Sequence, residues 1–119
     1  MLHGYTQSAA SAEYFSRFSL KSDKEGFIVV YPQGTVFHFG APDWHIKQFA
    51  DYTPDTGPDD VGFISSSTGL NEITESRPEI YITGFSAGGF MAHLLGAELA
   101  DRIARRWRAC RPACPWGCS

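Results

Sequence analysis

The chain has 119 residues, 43% of them hydrophobic and 19% charged, with a net charge of −3. This is the composition of a globular protein with one modest core, not of a disordered chain, and its mild acidity offers no electrostatic basis for a nucleic-acid or anionic-membrane partner. No apolar run reaches the ~18 residues of a membrane span, residues 1–4 show no signal peptide, and the cysteines (Cys110, Cys114 and Cys118) are spaced neither as a disulfide framework nor, without a fourth ligand nearby, as a metal site.

Leu2-His3-Gly4-Tyr5-Thr6 reads as the end of a strand entering a loop. From Ser8 to about Lys24 the spacing predicts one helix, with Ala10, Tyr14, Phe15 and Phe18 on a single core-facing side. Ser8 or Ser11 serves as its N-cap, and Gly26 stands where a C-terminal glycine belongs. Phe27-Ile28-Val29-Val30-Tyr31 is a short unbroken apolar run closed by Pro32 and Gly34, the pattern of a strand buried on both faces of a parallel sheet. Residues 32–58 read as one long loop, in which Phe37 and Trp44 indicate that it lies over something.

Asp59 caps a further helix, with its charge at the positive end of the dipole. Val61, Ile64, Leu70 and Ile73 supply its apolar face. Pro78 opens a strand over residues 79–83, and a last helix runs from about Ala87 to Ile103 with Phe90, Met91, Leu94, Leu95 and Leu99 inward. Strands alternating with helices predict an α/β fold with a parallel sheet and right-handed crossovers. The sequence divides into a domain over residues 1–104 and an aberrant, disordered basic Cys/Trp/Pro tail over 105–119, read as a disordered extension or the product of a frame shift or premature stop.

Between the expected strand and the last helix lies Gly84-Phe85-Ser86-Ala87-Gly88, a Gly-x-Ser-x-Gly segment in the strand–turn–helix context of a nucleophile elbow. Glycines suit positions 84 and 88 because a Cβ there would collide with a neighbouring strand or helix, and Gly89 lets the helix pack closely. Such a serine needs a base, usually histidine, oriented by an acid. After Ser86 the chain has only His93, with Glu98 and Asp101, on the outgoing helix. His93 lies roughly 10 Å along the axis, too far to bond Ser86. His38 and His45 read as loop histidines. The oxyanion hole is better supplied: the Ala87 N–H at a helix start, and the Tyr5 N–H in the loop after an earlier strand end.

Four blocks in this order resemble the esterase/polyhydroxybutyrate depolymerase family, related to feruloyl and acetylxylan esterases. They are Leu2-His3-Gly4-Tyr5-Thr6-Gln7-Ser8-Ala9, the run from Gly26 to Thr35, Asp59-Asp60-Val61-Gly62-Phe63-Ile64, and the run from Ile80 to Gly89. The resemblance implies a partial α/β-hydrolase fold, a mostly parallel sheet with helices on both faces. It implies an extracellular serine esterase that cleaves carboxylic esters without a cofactor or metal. Ser86 matches the nucleophile, and Tyr5 and Ala87 match the oxyanion positions. Tyr5 and Trp44 would border the substrate, although His45 follows Trp44 where the family has asparagine, and the cysteine pair common in that loop is missing. The family's acid and histidine would lie beyond residue 119 and its first strands before Leu2, so the expectation is a fragment, inactive alone. The partner implied is a small or polymeric ester; oligomeric state is left open. A serine peptidase and a catalytically dead binding remnant stand as the alternatives.

Overall fold

The computed structural model describes residues 1–38, 40–46, 57–67, 80–100 and 103. The first helix, α1 (Ala9–Ser16), begins at a reciprocal cap: the Ser11 N–H donates to Ser8 Oγ at 3.1 Å, and the Ser8 N–H donates to Ser11 Oγ at 2.9 Å. Two otherwise orphaned donors are thereby satisfied. The single helix expected from Ser8 to Lys24 is in fact two. Arg17 takes a left-handed conformation (φ 53°, ψ 23°), its N–H closing on Glu13, and α2 (Phe18–Glu25) starts afresh. α2 ends at Gly26, whose φ of 75° suits glycine and whose N–H bonds Ser22. The aromatic stripe does not enter the core. Ala12 is the buried residue of α1, whereas Tyr14 and Phe15 are 75% and 70% exposed and pack edge-to-face on each other. With Ala12 inward, Tyr14 lies about 200° round the axis.

Residues 27–31 were expected as a buried strand, but they form no ladder, and Ile28 is 92% exposed. The N-terminal ammonium of Met1 bonds the Val30 carbonyl at 2.8 Å. The expected long loop holds a hairpin instead, β1 (Thr35–His38) against β2 (Ala41–Asp43), antiparallel, with Thr35 opposite Asp43 and Val36 opposite Pro42. Gly40 makes its turn with φ 70°. α3 (Asp60–Ser67) is capped as its sequence indicates, the Gly62 N–H donating to Asp59 Oδ1 at 2.9 Å. Leu70, Ile73 and Pro78 fall outside the described residues, as does the tail over 105–119. Residues 80–83 lie beside Leu2, joined by a parallel bridge between Leu2 and Gly84, and α4 (Ala87–Glu98) follows.

The expected α/β architecture is therefore overturned. Among the described residues there are four helices and a two-stranded antiparallel sheet, not a mostly parallel sheet with helices on both faces. A parallel sheet needs evenly repeated bonds between long neighbours. Among the described residues the parallel contact is a single bridge, where Leu2 donates to Thr83 and accepts from Phe85. Apolar, β-branched runs report surface suited to burial; they do not report whether a neighbour runs alongside.

The core joins Leu2, Trp44, Ile46, Ile64, Met91, Leu94, Leu95 and Ile103. Met91, Leu94 and Leu95 make the inward stripe of α4, with Leu99 packed beside it. Phe90, expected inward, is 57% exposed, since it sits about 90° round from the centre of that stripe. No helix among the described residues is long and apolar enough to cross a membrane.

Candidate active site

The backbone turns sharply at Ser86. After Gly84 pairs with Leu2, the backbone reverses through Ser86 at φ 51°, ψ −119° and enters α4. A non-glycine residue held there costs on the order of 1–3 kcal/mol. Backbone bonds hold the turn: Gly88 N–H to Phe85 O at 2.9 Å, Gly89 N–H to Ser86 O at 2.8 Å, and Phe90 N–H to Ser86 O at 3.1 Å. A serine at an N-cap ordinarily turns its hydroxyl back onto the first-turn amides. Ser86 makes no such bond, and it is exposed. Its hydroxyl is therefore left for something other than capping.

The flanking glycines are sterically required. A Cβ on Gly84 would run into the Gly88 carbonyl. One on Gly88 would run into the Leu2 carbonyl oxygen and come within 2.5 Å of the His3 carbonyl oxygen. Gly89 approaches residue 84 closely too, with 3.3 Å from its would-be Cβ to Gly84 O. Glycine at 88 lets the start of α4 lie directly against residues 2 and 3, and glycines at 84 and 89 let it close on the turn before it.

That second segment is tied down on both sides of Tyr5. His3 is fully buried; its Nε2 accepts from the Gly34 N–H at 2.8 Å, which leaves the proton on Nδ1 to meet Gly4 O at 2.8 Å. The Trp44 indole N–H donates to His3 O at 2.8 Å, with the rings 4.8 Å apart. The Gly4 N–H donates to Gln7 Oε1 at 2.8 Å, and the Thr6 N–H donates to Pro42 O at 3.0 Å. Thr6 itself has φ 64°. Among the described residues, no protein acceptor takes the N–H of Tyr5 or of Ala87. Ala87 opens a helix of 12 residues, where unpaired amides and the positive dipole end favour an anionic oxygen. The Tyr5 ring is 40% exposed. Trp44, expected beside the substrate, is 1% exposed and lies beneath His3, so it supports the loop from within.

The loop carrying Tyr5 thus lies against the turn at Ser86, with 3.3 Å from a Cβ built on Gly4 to Phe85 O; among the described residues, no base is brought to Ser86. His3 engages both ring nitrogens in backbone bonds. His93 is exposed, seven residues along α4 from Ser86. His45, read from the sequence as a loop histidine, is buried: its N–H donates to Asp60 Oδ2 at 2.7 Å and its Nδ1–H to Pro58 O at 2.9 Å. The His38 side chain and Asp101 fall outside the described residues. Asp60 is 4% exposed, and burial raises its pKa, opposed by the His45 N–H. The structural part played by Asp60 was not read from the sequence. The Asp59-Asp60 doublet was its only signal: one carboxylate suffices to cap, and the next faces inward.

No known family model matches this chain, and no solved structure matches it. A bifunctional acetylxylan esterase/xylanase of Neocallimastix patriciarum is 28% identical over 105 residues, covering 87% of this chain. The chain spans 14% of the length of that relative. The likeness supports an esterase-like relationship and no finer assignment.

Proposed function

We propose that this chain carries the nucleophile and the oxyanion donors of a serine carboxylic-ester hydrolase. Ser86 Oγ attacks the ester carbonyl, and the Ala87 and Tyr5 N–H groups bond the oxygen that becomes negative. The Oγ–C bond forms, the hydroxyl proton passes to a base, and the alcohol leaves protonated; water then cleaves the acyl-enzyme to the free acid. The observation that carries the reading is the strained Ser86, whose hydroxyl is not spent on capping α4 and which stands beside the loop that bears Tyr5. The likeness to an acetylxylan esterase agrees with it. The finer reading is membership of the esterase/polyhydroxybutyrate depolymerase family, acting outside the cell on acetyl or feruloyl esters or on polyhydroxyalkanoates.

None of the histidine side chains described serves Ser86 as base, so slow turnover is expected of these 119 residues. A fluorophosphonate probe tests the proposal directly. Slow, stoichiometric labelling should map to Ser86 and vanish in Ser86→Ala. Equal labelling of parent and variant, or labelling mapped to another residue, would refute it.

A further inference from the structure

The Tyr5 loop is held from a distance. On one side of Tyr5, His3 O receives the Trp44 indole N–H; on the other, the Thr6 N–H donates to Pro42 O. Both anchors lie at the end of β2, Pro42 within it and Trp44 just beyond it, two residues apart. The stretch is fastened in turn by two carboxylates. Asp43 Oδ1 accepts the Trp44 N–H at 2.8 Å, and Asp60 Oδ2 accepts the His45 N–H at 2.7 Å. Asp60 is the first residue of α3, so its side chain joins the hairpin to a different element of the core.

A carboxylate 4% exposed is costly unless it is hydrogen-bonded. Capping does not explain it, because Asp59 already caps α3. The Trp44 ring cannot shift alone, since it is enclosed in the core with Leu2, Ile64 and Met91. Movement of His45 away from Asp60 would therefore carry Trp44 and Pro42 with it, and through them both flanks of Tyr5.

We infer that Asp60 is a positioning residue: by holding the His45 amide it sets, through Trp44 and Pro42, where the Tyr5 N–H stands beside Ser86. The link rests on the oxyanion reading of Tyr5 for its catalytic meaning, but it has a physical readout of its own. Amide hydrogen exchange on the 119-residue chain reports it at Thr6, and Ile103→Ala, a core truncation beyond the far end of α4, is the control for global destabilisation. Asp60→Ala should speed exchange at Thr6 by roughly tenfold or more, the scale of one lost bond to a charged group, while Ile103→Ala, which weakens the fold without freeing the His45 amide, leaves Thr6 exchange unchanged. Asp60→Asn keeps an acceptor oxygen and should restore the parent rate. Unchanged Thr6 exchange in Asp60→Ala, or equal acceleration at Thr6 in Asp60→Ala and Ile103→Ala, overturns the inference. If Asp60→Ala does not fold, Asp60→Ser decides: it keeps a polar side chain but draws the acceptor back from the His45 amide, and it must loosen Thr6 beyond the control. Fluorophosphonate labelling of Ser86 is measured on the same variants. Loosened Thr6 with unchanged labelling leaves the link standing and overturns the oxyanion role of Tyr5.

Discussion

Two glycines on the same helix should respond oppositely to the same substitution. Gly88→Ala places a methyl group against the Leu2 and His3 carbonyls, both backbone atoms that cannot rotate away. Either the methyl group is overpacked, at about 1–3 kcal/mol, or residues 2–3 retreat. Retreat breaks the bond from Phe85 N–H to Leu2 O and the one from the Trp44 indole to His3 O, each contributing about 1 kcal/mol. The better helix propensity of alanine returns about 1 kcal/mol. The net loss is about 0–2 kcal/mol. Gly96→Ala meets nothing within 4 Å, so only the propensity gain remains, about 1 kcal/mol. The two variants should differ by about 1–3 kcal/mol in urea unfolding, or on the order of 10 °C in Tm. Gly88→Ala should also lose Ser86 labelling, since the displaced segment carries Tyr5. Equal stability of the two variants would refute the close approach of α4 to residues 2 and 3, and with it the geometry of the site.

Further outcomes follow from single residues. Ser86→Gly relieves the strained φ of 51°; it should be about 1 kcal/mol more stable than Ser86→Ala while both fail to label, as judged by thermal melts beside the probe assay. Ser8→Ala removes the reciprocal cap of α1 and should cost about 1 kcal/mol in urea unfolding, whereas Ser8→Asp should keep most of it. Asp60 titrates with a pKa raised from its usual 3.8 by burial, so protonation favours the folded state. Its contribution to stability is fully present below 3.8 and is lost as pH rises through the raised folded value. The stability difference between the parent and Asp60→Asn should therefore shift against the parent across that window; parallel melting curves through the acid range would contradict the burial argument.

Much of the local chemistry was legible in the residues themselves. Ser8, Asp59 and Gly26 act where capping rules place them, because those rules depend on one turn of backbone. The Gly84–Ser86–Gly88 turn was legible for the same reason: a tight reversal admits few residue types, and their spacing records the contact. Pairing between distant segments was not legible. Residues 27–31 and 80–83 have strand composition, yet a ladder also requires a partner running alongside, and composition does not encode one. The stripe of Tyr14 and Phe15 satisfied helical spacing, but periodicity says that residues share a face, not which face turns inward. Arg17 splits the helix although no breaker stands there, since a left-handed residue is sustained by its surroundings. Tertiary structure alone buried Trp44, His45 and Asp60 together. Their bonds join residues 3, 44, 45 and 60, and side chains so far apart in sequence meet only once the core beneath them has closed.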